Sequence, residues 1–291
     1  MTRYHIHHTT TYEYTEPVSL CQNVAHLTLR NDRRTTVERK IVSISPQPAF
    51  IEERKDYFGN PVHYFTIQEP HRELKVDIEH GVQIVTDRDP GHQNSPPWET
   101  IRDRMAHDIS EEWIDANQFA FDSRHVAVDP RYQEYAERSF TKNRPILEAA
   151  LDLMQRFHSD FTYDPKATTI ATPVAEVFET RRGVCQDFAH CLLSCFRSLG
   201  LSARYISGYL STQPPPGRPR LVGADATHAW VSLFCGELGW IDLDQTNNQI
   251  PAENHILLAW GRDYDDVSPL KGVILGGGQH VVKVAVDVVP C

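Results

Sequence analysis

Three residues in this sequence have the types needed to break an acyl bond together: Cys185 in RRGVCQDFAH, His228 in ATHAWVSLF and Asp244 in GWIDLDQTN. A thiol needs a base to ionise it, and the base needs an acceptor to fix its tautomer, so cysteine, histidine and aspartate form a working nucleophile set. Spacing along the chain does not make them neighbours, but a hairpin does. Strands paired symmetrically about Gly236, in Cys235-Gly236-Glu237, set His228 opposite Asp244. A slip of one or two residues still leaves Asp244 or Asp242 within diagonal reach, because alternation puts both carboxylates on one face. Cys185 stands where a helix is expected to begin, running from about Cys185 to Leu199, preceded by Gly183 and closed by Gly200. There the sulfur lies near unpaired amide N–H groups, which favour the thiolate, the nucleophilic form. Each residue alone is more often structural, a buried cysteine acting as a small hydrophobe and a strand histidine or aspartate as a satisfied polar group. Their conjunction is rarer than its parts.

The elements that must position them follow from periodicity. The first ninety or so residues read as strands, the clearest being Leu74 to Glu79, with apolar side chains on one face and charges on the other. Phe58-Gly59-Asn60-Pro61 supplies a turn, and a β-sandwich is the expected form. Asp87 to Pro97 is a break ending in Ser95-Pro96, a helix-start signal with Ser95 as cap. Beyond it, Ile146, Ala150, Leu153 and Phe157 recur at helical spacing behind Pro145. Strands are expected over Ala203 to Leu210, His228 to Phe234, Trp240 to Leu243 and Val281 to Val289, the last after the turn Gly276-Gly277-Gly278. The pattern is α+β, with an N-terminal antiparallel β-sandwich over 1–90, a helical and loop connection over 91–144 and a core of helices packed on an antiparallel sheet over 145–291. The Pro214 to Pro219 segment is a loop by composition and a candidate rim for a cleft.

Composition narrows the chemistry. The 291 residues are 40% hydrophobic with a net charge of −10, enough for a buried core and unsuited to phosphate backbones or anionic membrane surfaces. Neither nucleic acid nor membrane is an expected partner. No apolar run approaches the roughly 20 residues of a membrane span, and MTRYHIHHTTTYEY has no signal-peptide core, so the expected location is cytoplasmic. Six cysteines without a C-x-x-C pair read as reduced thiols, and no metal or organic cofactor is expected. Cys191 and Cys195 with His190 read as a buried helix stripe rather than a metal site, and Asp187 as electrostatic support for the helix start. His5 and His7 alternate with His8 on opposite faces of a strand, and a solvated face is the preferred reading. Trp230 shares the face of His228 and Trp240 that of Asp244, so either could wall an acyl cleft or simply pack. Arg204 and Tyr205 could contact substrate or pair with neighbouring strands, and Asp263 to Asp266 reads as a solvated turn, lacking the spacing of a Ca²⁺ loop.

The segments GVCQDFAHCLLSCFRSLGLSARYISGYL, THAWVSLF and GWIDLDQTNN resemble the core of the transglutaminase-like superfamily, in particular its bacterial cysteine-protease-like branch. FTYDPKATTI and the β-rich N-terminal half are similar to that branch too, so the resemblance covers most of the chain. It implies a papain-like nucleophile domain behind a β-sandwich, with the catalytic residues of the family falling on Cys185, His228 and Asp244. The usual last motif is Asp-Pro-Thr; here it is Asp244-Gln245-Thr246, which keeps the carboxylate and puts the stiffness of the loop in question. The expected activity is hydrolysis of peptide or isopeptide amides through an acyl-thioester on Cys185. A transglutaminase-type acyl transfer with the same triad and a non-catalytic protein-binding module are the alternatives. The Cys185 N–H is the natural oxyanion donor, with Tyr163 through its hydroxyl or Gln186 by adjacency as the second. The expected partner is a peptide or protein substrate.

Overall fold

The computed structural model describes residues 1–85, 95–212 and 226–291. Most of Asp87 to Pro97, and all of Pro214 to Pro219, lie outside the described residues. The chain opens with a long strand, β1 (Thr2–Ala25), followed by β2 (Thr35–Ser45), β3 (Phe50–Lys55), β4 (Pro61–Ile67) and β5 (His71–Ile84). Residues 2–13 of β1 pair antiparallel with β5, and 21–25 pair with β4; the register shifts between Glu13 and Val18. Pro17 sits in that stretch, where a residue without an amide hydrogen is tolerated. The expected sandwich is thus one curled sheet, in which Cys21, Ala25, Phe65 and Ile67 share a core with Leu74, Val76 and Ile78. Each such buried aliphatic or aromatic side chain contributes roughly 1.5–3 kcal/mol.

The last strands correct the expected division of the chain. β12 (Leu270–Gly276) and β13 (His280–Pro290) pair with β1 rather than with the sheet of the second unit, so a division at residue 145 assigns them wrongly. They cover an edge of β1 that would otherwise present unpaired N–H and C=O groups. The stretch 91–144 is no mere connection either. Its helices α1 (Trp98–Met105), α2 (Glu111–Asn117) and α3 (Pro130–Glu137) put Trp98, Ile101, Trp113, Tyr132 and Tyr135 into the same core as the helices that follow.

That core is built around α4 (Ile146–Asp160), α5 (Val174–Thr180) and α6 (Cys185–Ser198), between which the short strands β6 (Thr162–Tyr163) and β7 (Arg182–Gly183) pair in parallel. Ser95 does not cap α1, which starts after Pro97. Its hydroxyl accepts the Leu147 N–H at 3.1 Å and so caps α4. Pro97 and Pro145 bridge two antiparallel segments, and the Ile146 N–H reaches the Pro96 carbonyl, which brings Ser95 to α4. The sheet carrying the site has the antiparallel order β10 (Trp240–Leu243), β9 (Ala226–Phe234), β8 (Ala203–Leu210), β11 (His255–Gly261). Ala229, Val231 and Leu233 of β9 join the helical core, while Tyr209, Ile256 and Leu258 pack on Tyr4, Ile6, Val82, Ile84, Val286 and Val288 of the curled sheet. Arg30 stacks 3.2 Å from the centre of Trp260, and Arg204 lies over both Trp260 and Trp240 at 3.8 and 4.3 Å. Of these desolvated cation–π contacts, the Arg30–Trp260 stack ties the two units together, while Arg204 braces its own sheet.

Candidate active site

Cys185 is the first residue of α6, and its position is fixed by the turn before it. The Asp187 carboxylate reaches back to accept the Val184 N–H at 2.9 Å and the Thr168 hydroxyl at 2.6 Å. This closes the helix start and places negative charge where unpaired amides favour it. Gly183 is needed for the approach: a Cβ there would lie 2.8 Å from the Asp187 oxygen. Cys185 is half-buried, and Gln186 beside it is likewise half-buried on the first turn. Cys191 and Cys195 are fully buried; burial pushes the first thiol well above its ordinary range and the second up to about 12, so neither offers a thiolate.

His228 and Asp244 meet, though not by the expected register. β9 and β10 pair with Phe234 opposite Trp240 and Val231 opposite Leu243, two residues off symmetry about Gly236. A 3-10 turn over Gly236–Leu238, followed by Gly239 at φ +69°, lengthens the connection and moves the pairing. Continued one step, that register sets Asp244 beside Trp230, a diagonal step from His228, and the side chains close the gap. His228 Nε2 lies 2.9 Å from Asp244 Oδ2. With Nε2 held there, the ring lies near enough to Cys185 for the two groups to influence each other's charge. Burial alone would lower the His228 imidazole; the hydrogen bond to Asp244, then the neighbouring Cys185 and the attraction of both groups, overcome it and bring the ring up to about 10. Burial likewise disfavours the Asp244 carboxylate, but the hydrogen bonds from His228 and His255 hold it well below the usual carboxylate range.

Three residues of this cluster escape sequence reasoning. His255, with its side chain wholly buried, puts its Nε2 2.9 Å from the same Asp244 oxygen, and Asn247 donates its side-chain amide to it at 2.7 Å. Asp244 Oδ1 accepts the backbone N–H groups of Thr246 and Asn247 at 3.0 and 3.2 Å. The third is Gln245, which reaches the carbonyls of Cys185 and Ala229. The Asn at Asp+3 is a recognisable turn residue, but His255 arrives only through the pairing of β11 with β8, which no local pattern announces. His228, Asp244 and His255 also form a group that could hold a metal ion among the described residues. Both N···O distances are, however, those of N–H···O hydrogen bonds, and both Nε2 atoms are committed to one oxygen.

The remaining candidates separate clearly. Trp230 is 1% exposed, donates its indole N–H to Asp242 at 3.2 Å and stands edge-on to His255, so it packs behind the pair and walls no open cleft. Asp242 is occupied by that bond, and Trp240 packs on Phe119, Phe234 and Arg204. Tyr205 is buried, and Arg204 is half-buried between Trp240 and Trp260, so both act as supports. Tyr163 stays 55% exposed next to the helix start, its ring edge-on to Phe188; burial and then the Cys185 charge raise its hydroxyl above the ordinary range. Asp263 is buried rather than solvated, capping a short helix, α7 (Tyr264–Val267), and accepting the His125 N–H.

Comparison with known proteins places the chain in a family and fold. Residues 4–83 match the bacterial transglutaminase-like N-terminal region, and residues 133–245, which include Cys185, His228 and Asp244, match the transglutaminase-like superfamily. An uncharacterized protein of Mycobacterium tuberculosis is 39% identical over 297 residues, covering 99% of this chain and 93% of its own. A protein-glutamine gamma-glutamyltransferase of Pseudomonas aeruginosa is 35% identical over 103 residues, 34% of this chain and 15% of its own length. The fold is that of the crystal structure of "a Putative Cysteine Protease from Cytophaga hutchinsonii", with a TM-score of 0.78, 20% identity and coverage of 99% of this chain and 90% of that one. No helix among the described residues is long and apolar enough to cross a membrane. The chain belongs to the transglutaminase-like superfamily.

Proposed function

We propose that the protein is a cysteine-nucleophile amide hydrolase acting on peptide or protein substrates. The observation that carries this reading is the His228–Asp244 hydrogen bond at 2.9 Å with the half-buried Cys185 at the helix start close enough to raise the ring's proton affinity. In the proposed reaction the Cys185 thiolate attacks the amide carbonyl carbon, and the oxyanion receives the Cys185 N–H at the helix start and the Tyr163 hydroxyl at its mouth. The C–N bond then breaks as the His228 imidazolium gives its proton to the leaving amine. Water attacks the resulting thioester, returns a proton to His228 and releases the acid and the thiolate. Asp244 keeps the ring oriented and its charge balanced throughout. Gln186 is the alternative second donor, and a Tyr163→Phe variant separates the two. The free cysteines fit a reducing compartment, and we place the reaction in the cytoplasm.

A second reading, transfer of the acyl group to an amine, is favoured by the similarity over 103 residues to a protein-glutamine gamma-glutamyltransferase. The two readings share every step up to the thioester. Adding a primary amine and looking for amidated product distinguishes them. Substituting Cys185→Ala is expected to abolish turnover while the melting temperature is retained; a folded Ala variant with full activity would sink the assignment.

A further inference from the structure

Gln245 occupies the middle of the Asp-x-Thr motif where the family pattern has proline, and it is wholly buried. Its side-chain nitrogen lies 3.3 Å from the Cys185 carbonyl oxygen and 3.3 Å from the Ala229 carbonyl oxygen. Carbonyls only accept, so the end of the amide facing them is the NH₂, whose two hydrogens serve the two carbonyls and, at the longer distance of 3.5 Å, the Thr246 hydroxyl. The other end is different: Oε1 is buried and has no hydrogen-bond partner among the described residues. A buried acceptor without a donor costs stability, and a side chain kept only to fill this space would be apolar. The two carbonyls that the amide joins belong to the nucleophile itself and to the residue after His228, while Gln245 follows Asp244 directly.

We infer that Gln245 is a positioning residue that fixes the distance between the Cys185 sulfur and the His228 ring by tying the helix start to strand β9 from within the Asp244 loop. The inference rests on the proposed reading of Cys185 as the nucleophile. A proline at this position stiffens the loop but donates nothing to either carbonyl. Gln245 replaces that stiffness with a clamp that includes the reacting residue.

The test is the pH–rate profile of Cys185 alkylation by iodoacetamide, followed by site-specific mass spectrometry, for wild type, His228→Ala, Gln245→Met and Gln245→Pro. The methionine keeps length and volume without donors, and the proline restores the family residue. Wild type is expected to react faster than His228→Ala at pH 6.5; if it does not, the nucleophile reading itself fails. Given that difference, Gln245→Met is expected to react about tenfold slower than wild type at pH 6.5, the scale of losing a supporting contact behind a reactive group, with an unchanged or raised melting temperature, because the orphaned oxygen is gone. Gln245→Pro is expected to lose rate in the same way and serves should the methionine variant not fold. Wild-type rates in either folded variant would overturn the inference and leave Gln245 as packing.

Discussion

Two regions of this molecule bury a histidine and reach opposite outcomes. On β1, where the curled sheet meets the second unit, His8 is buried between neutral groups, its Nδ1 2.9 Å from the Tyr209 hydroxyl and its Nε2 3.0 Å from the Thr10 hydroxyl. Burial, then the neighbouring His7, lowers it to about 4. His80 on β5 accepts the Leu29 N–H, and burial lowers it likewise to about 4. His228 is buried to a similar degree, yet the Asp244 and Cys185 contacts carry it to about 10. Burial is common to all three, so the partner decides the protonation state. One region uses imidazole as a neutral packing group; the other holds it as a cation ready to give up a proton.

The largest expected effect comes from removing the partner. In Asp244→Asn, His228 should behave like His8, falling from about 10 to below the ordinary value near 6.5, and Cys185 alkylation at pH 6.5 should slow about a hundredfold or more. An NMR titration of the His228 ring reads this directly, and a ring that stays near 10 would break the comparison. The second effect has the opposite pH sign. A histidine lowered to about 4 when folded stays neutral while the unfolded chain protonates near 6.5, so stability is lost as pH falls between those values. Replacing His8 by Gln should therefore reduce the loss of unfolding free energy between pH 7 and pH 4 by up to about 3 kcal/mol, read from urea unfolding at each pH. The His228 contribution, by contrast, is complete below about 6.5 and is lost as pH rises through about 10. The smallest effect sharpens the site. His255→Phe fills the ring's volume beside Trp230 but removes one donor from Asp244, which keeps Asn247 and two backbone N–H groups. Alkylation of Cys185 should slow by no more than about tenfold; a loss as large as in Asp244→Asn would shift the central role from the aspartate to His255.

Legibility in the sequence followed the range of the interactions. The helix carrying Cys185 is bounded by local signals, Gly183 before it and Gly200 at φ +77° after it, and it forms where those signals place it. Strands over Ala203–Leu210 and Trp240–Leu243 are equally local, written in β-branched and aromatic residues. The pairing of His228 with Asp244 was legible only to within a diagonal step, because the 3-10 turn before Gly239 moved the register by two and the side chains absorbed the difference. His255, Gln245 and the partners of β12 and β13 were not legible, since each depends on which distant backbone lies alongside. Ser95 shows the same limit: its type announced a cap, but the helix it caps is fifty residues away. The candidate residues for chemistry could be named from the sequence, while the residues that hold them in place required the fold.

The central proposal is that His228, held by Asp244, activates Cys185 as a nucleophile. Its most direct test is the pH dependence of Cys185 alkylation by iodoacetamide in wild type and in His228→Ala. The account predicts that wild-type Cys185 reacts rapidly at pH 6.5, well ahead of Cys291, the exposed cysteine among the five others, and that losing His228 removes this advantage. Equal rates for Cys185 and Cys291, unaffected by His228, would contradict the claim and turn the protein from an enzyme into a binding module with an idle triad.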